Sequence, residues 1–178
     1  MLAILAIPAR ADLSSGTQWL SGTAQPNGSY SLVNDISTPF QSTAEALRTF
    51  GTLGSFPNTA PAAAQFLAAE PYQNTENLSR LIINDVATGQ DPSGATTLLM
   101  TYQDSATGGF GELPGFQPTV LDTAFALEAL ALSGNLSSQS AGYAVGFLQQ
   151  QQASDGSWSE TDGDNLPSVY LTALSMRS

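Results

Sequence analysis

Apolar side chains recur every three or four residues along most of this chain, which is the spacing of helices that bury one face. Eight such stretches are separated by Gly, Pro and Asp-Gly signals, which are typical of helix ends and turns. One stretch, at about 119–132, is apolar on nearly every side, so we expect that helix to be buried. The alternation of β-branched and polar residues that marks a strand is absent, and the pattern therefore predicts an all-α fold.

The eight predicted helices follow one another in pairs. In the first three pairs the second helix is followed by a glycine, at Gly54, Gly89 and Gly134, and glycine commonly ends a helix there. The pairs define four helical hairpins, which residues 1–11 precede. The hairpins lie at about 12–54, 60–89, 92–134 and 138–178.

The link between the two helices of a hairpin carries a repeated corner, in which a glutamine, a glycine and an aromatic residue follow in that order. The three copies are Gln25, Gly28 and Tyr30; Gln103, Gly108 and Phe110; and Gln152, Gly156 and Trp158. Gly28 and Gly108 are 80 positions apart, as are Tyr30 and Phe110. Tyr72 lies near the midpoint between Tyr30 and Phe110 and belongs to a weaker copy. The sequence therefore repeats about every 40 residues, as helical-repeat arrays do.

Each corner residue type has a structural reason to be there. Glycine accepts positive φ in a tight turn, and a glutamine amide can both donate and accept between a helix end and that turn. The aromatic side chain can anchor the corner in the core or line a ligand pocket. We interpret the aromatic residues as packing elements.

The composition excludes several classes of function. The chain of 178 residues has a formal net charge of -11, with four Arg, no Lys and no His. It lacks the basic surface that binds nucleic acids or anionic membranes. The absence of Cys excludes disulfides, thiolate metal sites and cysteine nucleophiles. One domain is the simplest division of a chain of this length.

Residues 1–11 have the features of the end of a secretion signal. A short apolar run is followed by Ala9, Arg10 and Ala11, which form a small-x-small cleavage site before Asp12. We therefore expect a secreted or cell-surface protein exported in the bacterial manner, with an ordinary apolar first helix as the alternative. The run is too short to span a bilayer, so no membrane insertion is expected.

Two stretches resemble known repeat families. The stretch 147–158, with Gln152, Gly156 and Trp158, resembles the QW motif of the triterpene cyclases of the squalene-hopene type. The stretch 108–127 is similar to the repeat of protein prenyltransferase β subunits. Both families belong to the α-α toroid superfamily, in which six helical hairpins close a ring of inner and outer helices. The resemblance implies a partial α-α toroid of about four hairpins, an incomplete ring that further repeats or a partner chain would complete.

The reactive groups of these families are not reproduced in this sequence. Prenyltransferases bind zinc through Asp, Cys and His, and the complement-type thioester toroids need a Cys, whereas this chain has neither Cys nor His. Cyclases protonate their substrate with an Asp-x-Asp-Asp motif. The nearest string here runs from Asp162 through Asp164 to Asn165 and lacks the last Asp.

An acidic loop carries the remaining candidate chemistry, with the side chains of Asp155, Glu160, Asp162 and Asp164. Asp162 or Asp164 could act as a general acid if burial raised its pKa. The four carboxylates together could bind calcium, since hard cations prefer oxygen ligands. The alternative is a solvated loop with no cofactor, and we favour it because the whole chain is acidic.

Asp122 and Glu128 are the charged residues of the apolar helix at 119–132. Asp122 occupies a position where prenyltransferase repeats often carry Asp, and it could point into a central cavity. We expect it instead to cap the start of the helix or to pair with Arg48 or Arg80.

Three functions are compatible with these patterns. The first is a non-catalytic, exported scaffold or interaction module, part of a larger protein or assembly, with other protein chains or further copies as partners. The second is part of a terpene-cyclase-like or lyase-like toroid enzyme. The third is a protein that binds an apolar small molecule in the ring cavity. We favour the first, because the motifs that match are structural, and we lean away from an enzyme.

Overall fold

A computed structural model describes residues 12–71, 73–160 and 166–178, and it confirms the all-α fold. These ranges contain eight helices and no strand, although two isolated bridges join Ala24 to Tyr30 and Gln103 to Phe110. The candidate signal at 1–11, Tyr72, and the candidate acids Asp162 and Asp164 lie outside the described residues. The helices are α1 (Leu13–Gly22), α2 (Pro39–Leu53), α3 (Ala60–Ala68), α4 (Thr75–Thr88), α5 (Ser93–Met100), α6 (Val120–Leu132), α7 (Gln139–Gln151) and α8 (Val169–Arg177).

Polar caps determine where several helices begin. The apolar spacing predicts these helices at about 41–52, at about 75–88 and from about 167. Thr38 and Gln41 form a reciprocal capping box, and Pro39 follows Thr38, so α2 begins two residues before its predicted start. Asn74 caps α4, and Gly89, with φ 73°, ends it, so the predicted bounds of this helix agree with the structure. Ser168 caps α8, which therefore begins slightly later than predicted.

The helices pack in two layers. The even-numbered helices, which we call inner, form a row in which α2 contacts α4, α4 contacts α6 and α6 contacts α8. We call the odd-numbered helices outer, and three of them pack on this row: α3 on α2 and α4, α5 on α4 and α6, and α7 on α6. α6 lies inside the row and is buried over most of its length, as its apolar sequence predicts.

Two hydrophobic clusters form the core. One joins α2 and α3 with Tyr30, and the other joins α4 to α8 with Phe110 and Trp158. Each fully buried large apolar side chain stabilises the fold by about 1.5–3 kcal/mol, so the corner aromatics anchor both clusters. In contrast, α1 buries none of its residues. Of the helices described, none is both long and apolar enough to cross a membrane.

Candidate functional site

In all three corners the backbone N–H of the aromatic residue donates to a threonine hydroxyl on the following inner helix. The donor–acceptor distances are 2.8 Å from Tyr30 to Thr43, 2.9 Å from Phe110 to Thr123 and 3.0 Å from Trp158 to Thr172. A buried N–H that lost such an acceptor would cost about 1–3 kcal/mol, so the threonines fix each corner to its helix. Thr172 was not identified from the sequence. Its signal is its position 14 residues after an aromatic residue, close to the spacing of 13 in the other two corners.

The corner glutamines differ in what they bind. Nε2 of Gln103 donates to the carbonyl of its corner glycine at 2.7 Å and to Ser140 O, next to the start of α7, at 2.8 Å. Ser140 Oγ donates back to Oε1 of Gln103 at 2.6 Å. Gln152 reaches its own corner glycine at 2.9 Å, whereas Gln25 donates to a carbonyl two residues before it, at 2.8 Å. Gln103 therefore links two hairpins, and the other two glutamines make local bonds.

The corners at Gly28 and Gly108 are covered by the outer helix of the next hairpin. A Cβ added at Gly28 would lie 2.4 Å from Ala62 O on α3, and one at Gly108 would lie 2.8 Å from Tyr143 O on α7. At Gly156 a Cβ would meet only the corner's own glutamine, at 3.9 Å. All three glycines have positive φ, at 92°, 82° and 88°. Among the described residues, the last corner is therefore left uncovered.

Glu128 on α6 binds arginines from two other inner helices. Its carboxylate accepts from Arg48 on α2 and, at 3.0 Å, from Arg177 on α8. The Glu128 side chain is 6% exposed, while both arginines keep more contact with water. Two cations compensate the cost of withdrawing one carboxylate from water. This triad was not predicted, although Arg48 and Glu128 are 80 positions apart and thus occupy equivalent places in the repeat.

Arg80 on α4 forms a second charged group in the row of inner helices. It donates to Glu76 on the same helix at 2.9 Å and to Glu45 on α2. Its guanidinium also lies over the ring of Phe125, 5.3 Å from the centroid, where the negative face of the ring attracts a cation. Arg48 and Arg80, the partners considered for Asp122, thus bind other carboxylates.

Asp122 lies in the first turn of α6 and binds the residue that caps this helix. Thr119 Oγ1 donates to the Asp122 carboxylate at 2.8 Å and accepts from the Asp122 N–H at 3.0 Å. Burial raises the pKa of Asp122 above its ordinary value, the Thr119 hydrogen bond opposes this, and the charges of Glu112, Glu76 and Glu160 raise it further. A carboxyl whose pKa is raised by burial and neighbouring carboxylates meets one requirement of a general acid.

Of the acidic loop, Asp155 and Glu160 belong to the described residues. The Ser157 hydroxyl and N–H donate to Asp155 Oδ1 at 2.7 and 3.0 Å, and these bonds lower the pKa of Asp155. Glu160 is exposed. In the part of the chain that the structure describes, no three His, Cys, Asp or Glu side chains are placed to hold a metal ion. Calcium binding by this loop stays a prediction.

Comparison with known proteins adds no relative: a scan against protein-family models finds no match, and a search of curated proteins finds none either. Three features of the described residues bear on function: the corners, the triad at Glu128 and the uncovered end of the row.

Proposed function

We propose that the chain is a non-catalytic, exported scaffold of the α-α toroid type, whose curved row of helices binds other protein chains. The repeated corners support the toroid type, because the aromatic, threonine and glycine positions recur in three of the four hairpins. The alternation of inner and outer helices supports it as well, because the resemblance to the toroid families implies paired inner and outer helices.

The triad at Glu128 is the observation that carries this proposal, because it joins helices that are not neighbours. α4 lies between α2 and α6 in the row. In a flat row the axes of α2 and α6 would be about 16–20 Å apart, twice the usual spacing of packed helices. A row that bends toward the side on which the three charged groups meet brings Arg48 and Glu128 within reach of each other, so their bond supports a bent row.

The triad also favours a scaffold over an enzyme or a small-molecule carrier. In a toroid, a substrate or an apolar ligand would occupy the concave side of the row. Here a buried carboxylate and two arginines bind one another on the side toward which the proposed row bends. Charges paired in this way are not free to act on a substrate, and they offer an apolar ligand a poor surface.

A cyclase-like enzyme is the second candidate, and Asp122 is the observation that favours it. Its carboxyl is buried, its pKa is raised, and three further carboxylates act on it from α4, from the link between α5 and α6 and from the acidic loop. A proton donor to an alkene or an allylic group would need such a carboxyl beside an apolar cavity.

The two candidates can be separated by one set of incubations. The purified chain would be mixed with linear triterpenes and with prenyl diphosphates, and the products analysed by gas chromatography with mass spectrometry. The scaffold predicts no new product and no thermal stabilisation by these compounds. A product that forms with the wild-type chain and disappears in Asp122→Asn would overturn the scaffold in favour of the enzyme.

A further inference from the structure

Every inner helix carries a stripe of three residues, in which the second and third residues follow the first by four and by seven positions. The stripe is buried on three helices: Phe40, Ala44 and Leu47 on α2; Thr75, Ser79 and Ile82 on α4; and Val120, Ala124 and Leu127 on α6. On α8 the stripe is Val169, Ala173 and Met176, and it is exposed, with Val169 at 89% and Met176 at 76%. On α2 the stripe packs in one cluster with α3, the outer helix of the next hairpin. The α8 stripe is thus the surface on which a following outer helix would lie.

The outer helix α1 carries an apolar residue at the position through which other outer helices pack on the preceding inner helix. Trp19 precedes the corner aromatic by 11 residues, as do Leu99 on α5 and Phe147 on α7. Leu99 and Phe147 are buried on helices that pack against the preceding inner helix. Trp19 is 64% exposed, and α1 buries none of its residues. Trp19 therefore belongs to a packing face that is left uncovered among the described residues.

We propose that the α8 end of one copy receives α1 of a second copy, so that the chain self-associates head to tail. This inference names the partner of the proposed scaffold and rests on that function. A second copy is the occupant that fits, because one chain carries both halves of an interface that already recurs between its own hairpins. Contacts of this head-to-tail kind form closed rings or filaments.

The internal repeat also locates the contact of Trp19. Within the chain, Phe147 and Pro118 both lie against Gly109: a Cβ added at Gly109 would lie 2.7 Å from each side chain. The equivalent positions of the last hairpin are Ser157 and Pro167, which flank the uncovered corner. We expect Trp19 of the second copy to lie against Ser157 and close to Pro167. Because each copy has a net charge of -11, added salt should strengthen the association by screening their repulsion.

Sedimentation of two variants, alone and mixed, tests this proposal. Trp19→Asp removes the α1 half and Val169→Asp the α8 half. Each variant alone should associate roughly thirtyfold more weakly than the wild-type chain, the scale of an interface residue that dominates binding. Their equimolar mixture should regain one strong contact and stop at a dimer, because each variant keeps one intact half. Leu136→Asp, an exposed apolar position on neither face, is the matched control and should associate like the wild type.

A cysteine pair keeps the test independent of charge and of folding differences among the variants. The chain has no natural Cys, so Trp19→Cys and Pro167→Cys chains should form a disulfide-linked dimer when mixed and not when either is oxidised alone. A wild-type chain that stays monomeric at all concentrations overturns the head-to-tail contact. Assembly that survives in both single variants overturns it as well. Neither result contradicts the scaffold proposal, which turnover of a substrate by the chain would contradict.

Discussion

At the scale of single residues, each corner depends on a backbone N–H whose acceptor is a threonine side chain. Thr43 and Thr123 are fully buried, and each hydroxyl also donates to a carbonyl of its own helix. One hydroxyl thus satisfies a donor of the corner and an acceptor of the helix. This double role explains why threonine occupies a position on a buried helix face where an apolar side chain would otherwise fit.

Replacing Thr123 by Val tests this role, because Val has nearly the same shape and cannot accept a hydrogen bond. The buried N–H of Phe110 would lose its partner, and we expect the free energy of unfolding to fall by about 1–3 kcal/mol. Thr97→Val on α5 is the control, since Thr97 is exposed and donates only to a carbonyl of its own helix. Urea denaturation measures both changes, and equal losses would contradict the role of Thr123.

The half-buried carboxyl of Asp85 predicts how the stability of the folded chain changes with pH. Burial and the charge of Asp91 raise the pKa of Asp85 from 3.8 to about 6 in the folded chain. The folded state then binds more protons than the unfolded state between these values, so Asp85 lowers stability progressively as pH rises from about 4 to 6.

Asp85→Asn should therefore stabilise the chain at pH 7 and leave its stability nearly unchanged at pH 3. Because Asp85 is only half buried, we expect a gain of about 1 kcal/mol at pH 7, well below the value for a fully buried carboxyl. Thermal unfolding across this pH range measures the difference. A variant whose stability parallels the wild type at every pH would show that Asp85 is fully solvated.

At the scale of elements, close contact between a corner and the next outer helix determines how hairpins stack. Gly108→Ala should be destabilising for two reasons: a φ of 82° is costly for Ala by about 1–2 kcal/mol, and the new Cβ would meet Tyr143 O at 2.8 Å. Gly156→Ala has a similar φ of 88° and open space, so it should show the first cost alone. Chemical denaturation of both variants measures the excess at Gly108, and equal losses would contradict the packing of α7 on this corner.

The triad at Glu128 makes the second prediction at this scale. Glu128→Gln leaves Arg48 and Arg177 without their carboxylate, and we expect a loss of about 1.5–3 kcal/mol, the range for hydrogen bonds to charged groups. Glu45→Gln, at a side chain that is 55% exposed, is the control and should cost less than about 1 kcal/mol. A double-mutant cycle with Arg48→Met would give the coupling energy directly. A coupling near zero would remove the main support for a bent row.

A feature can be predicted from the sequence when the residues that form it are close together or repeat in order along the chain. α4 was predicted with its observed bounds, because Asn74 and Gly89 encode its two ends locally. The corners were found because their residues repeat in order along the chain. The triad was not found, since Arg48 and Glu128 come together only after α2, α4 and α6 have packed. The raised pKa of Asp122 likewise depends on carboxylates brought in by other elements.

At the scale of the whole molecule, the central claim is that four hairpins stack into a bent row with complementary ends. We infer the bend from one carboxylate shared by α2, α6 and α8, and we infer the complementary ends from the α8 stripe and from α1. Binding to protein chains through these ends is what the proposed scaffold would do.

The distance between α2 and α8 measures the bend directly. Spin labels on Thr52→Cys, one turn beyond Arg48, and on Ser178→Cys, next to Arg177, report this distance by pulsed electron resonance in a chain with no other Cys. Three spacings of a flat row would separate the two helices by about 24–30 Å. We predict a narrow distribution clearly below this range, which Glu128→Gln broadens toward longer distances. A distribution centred at or above this range in the unaltered triad would contradict the bent row and the scaffold built on it.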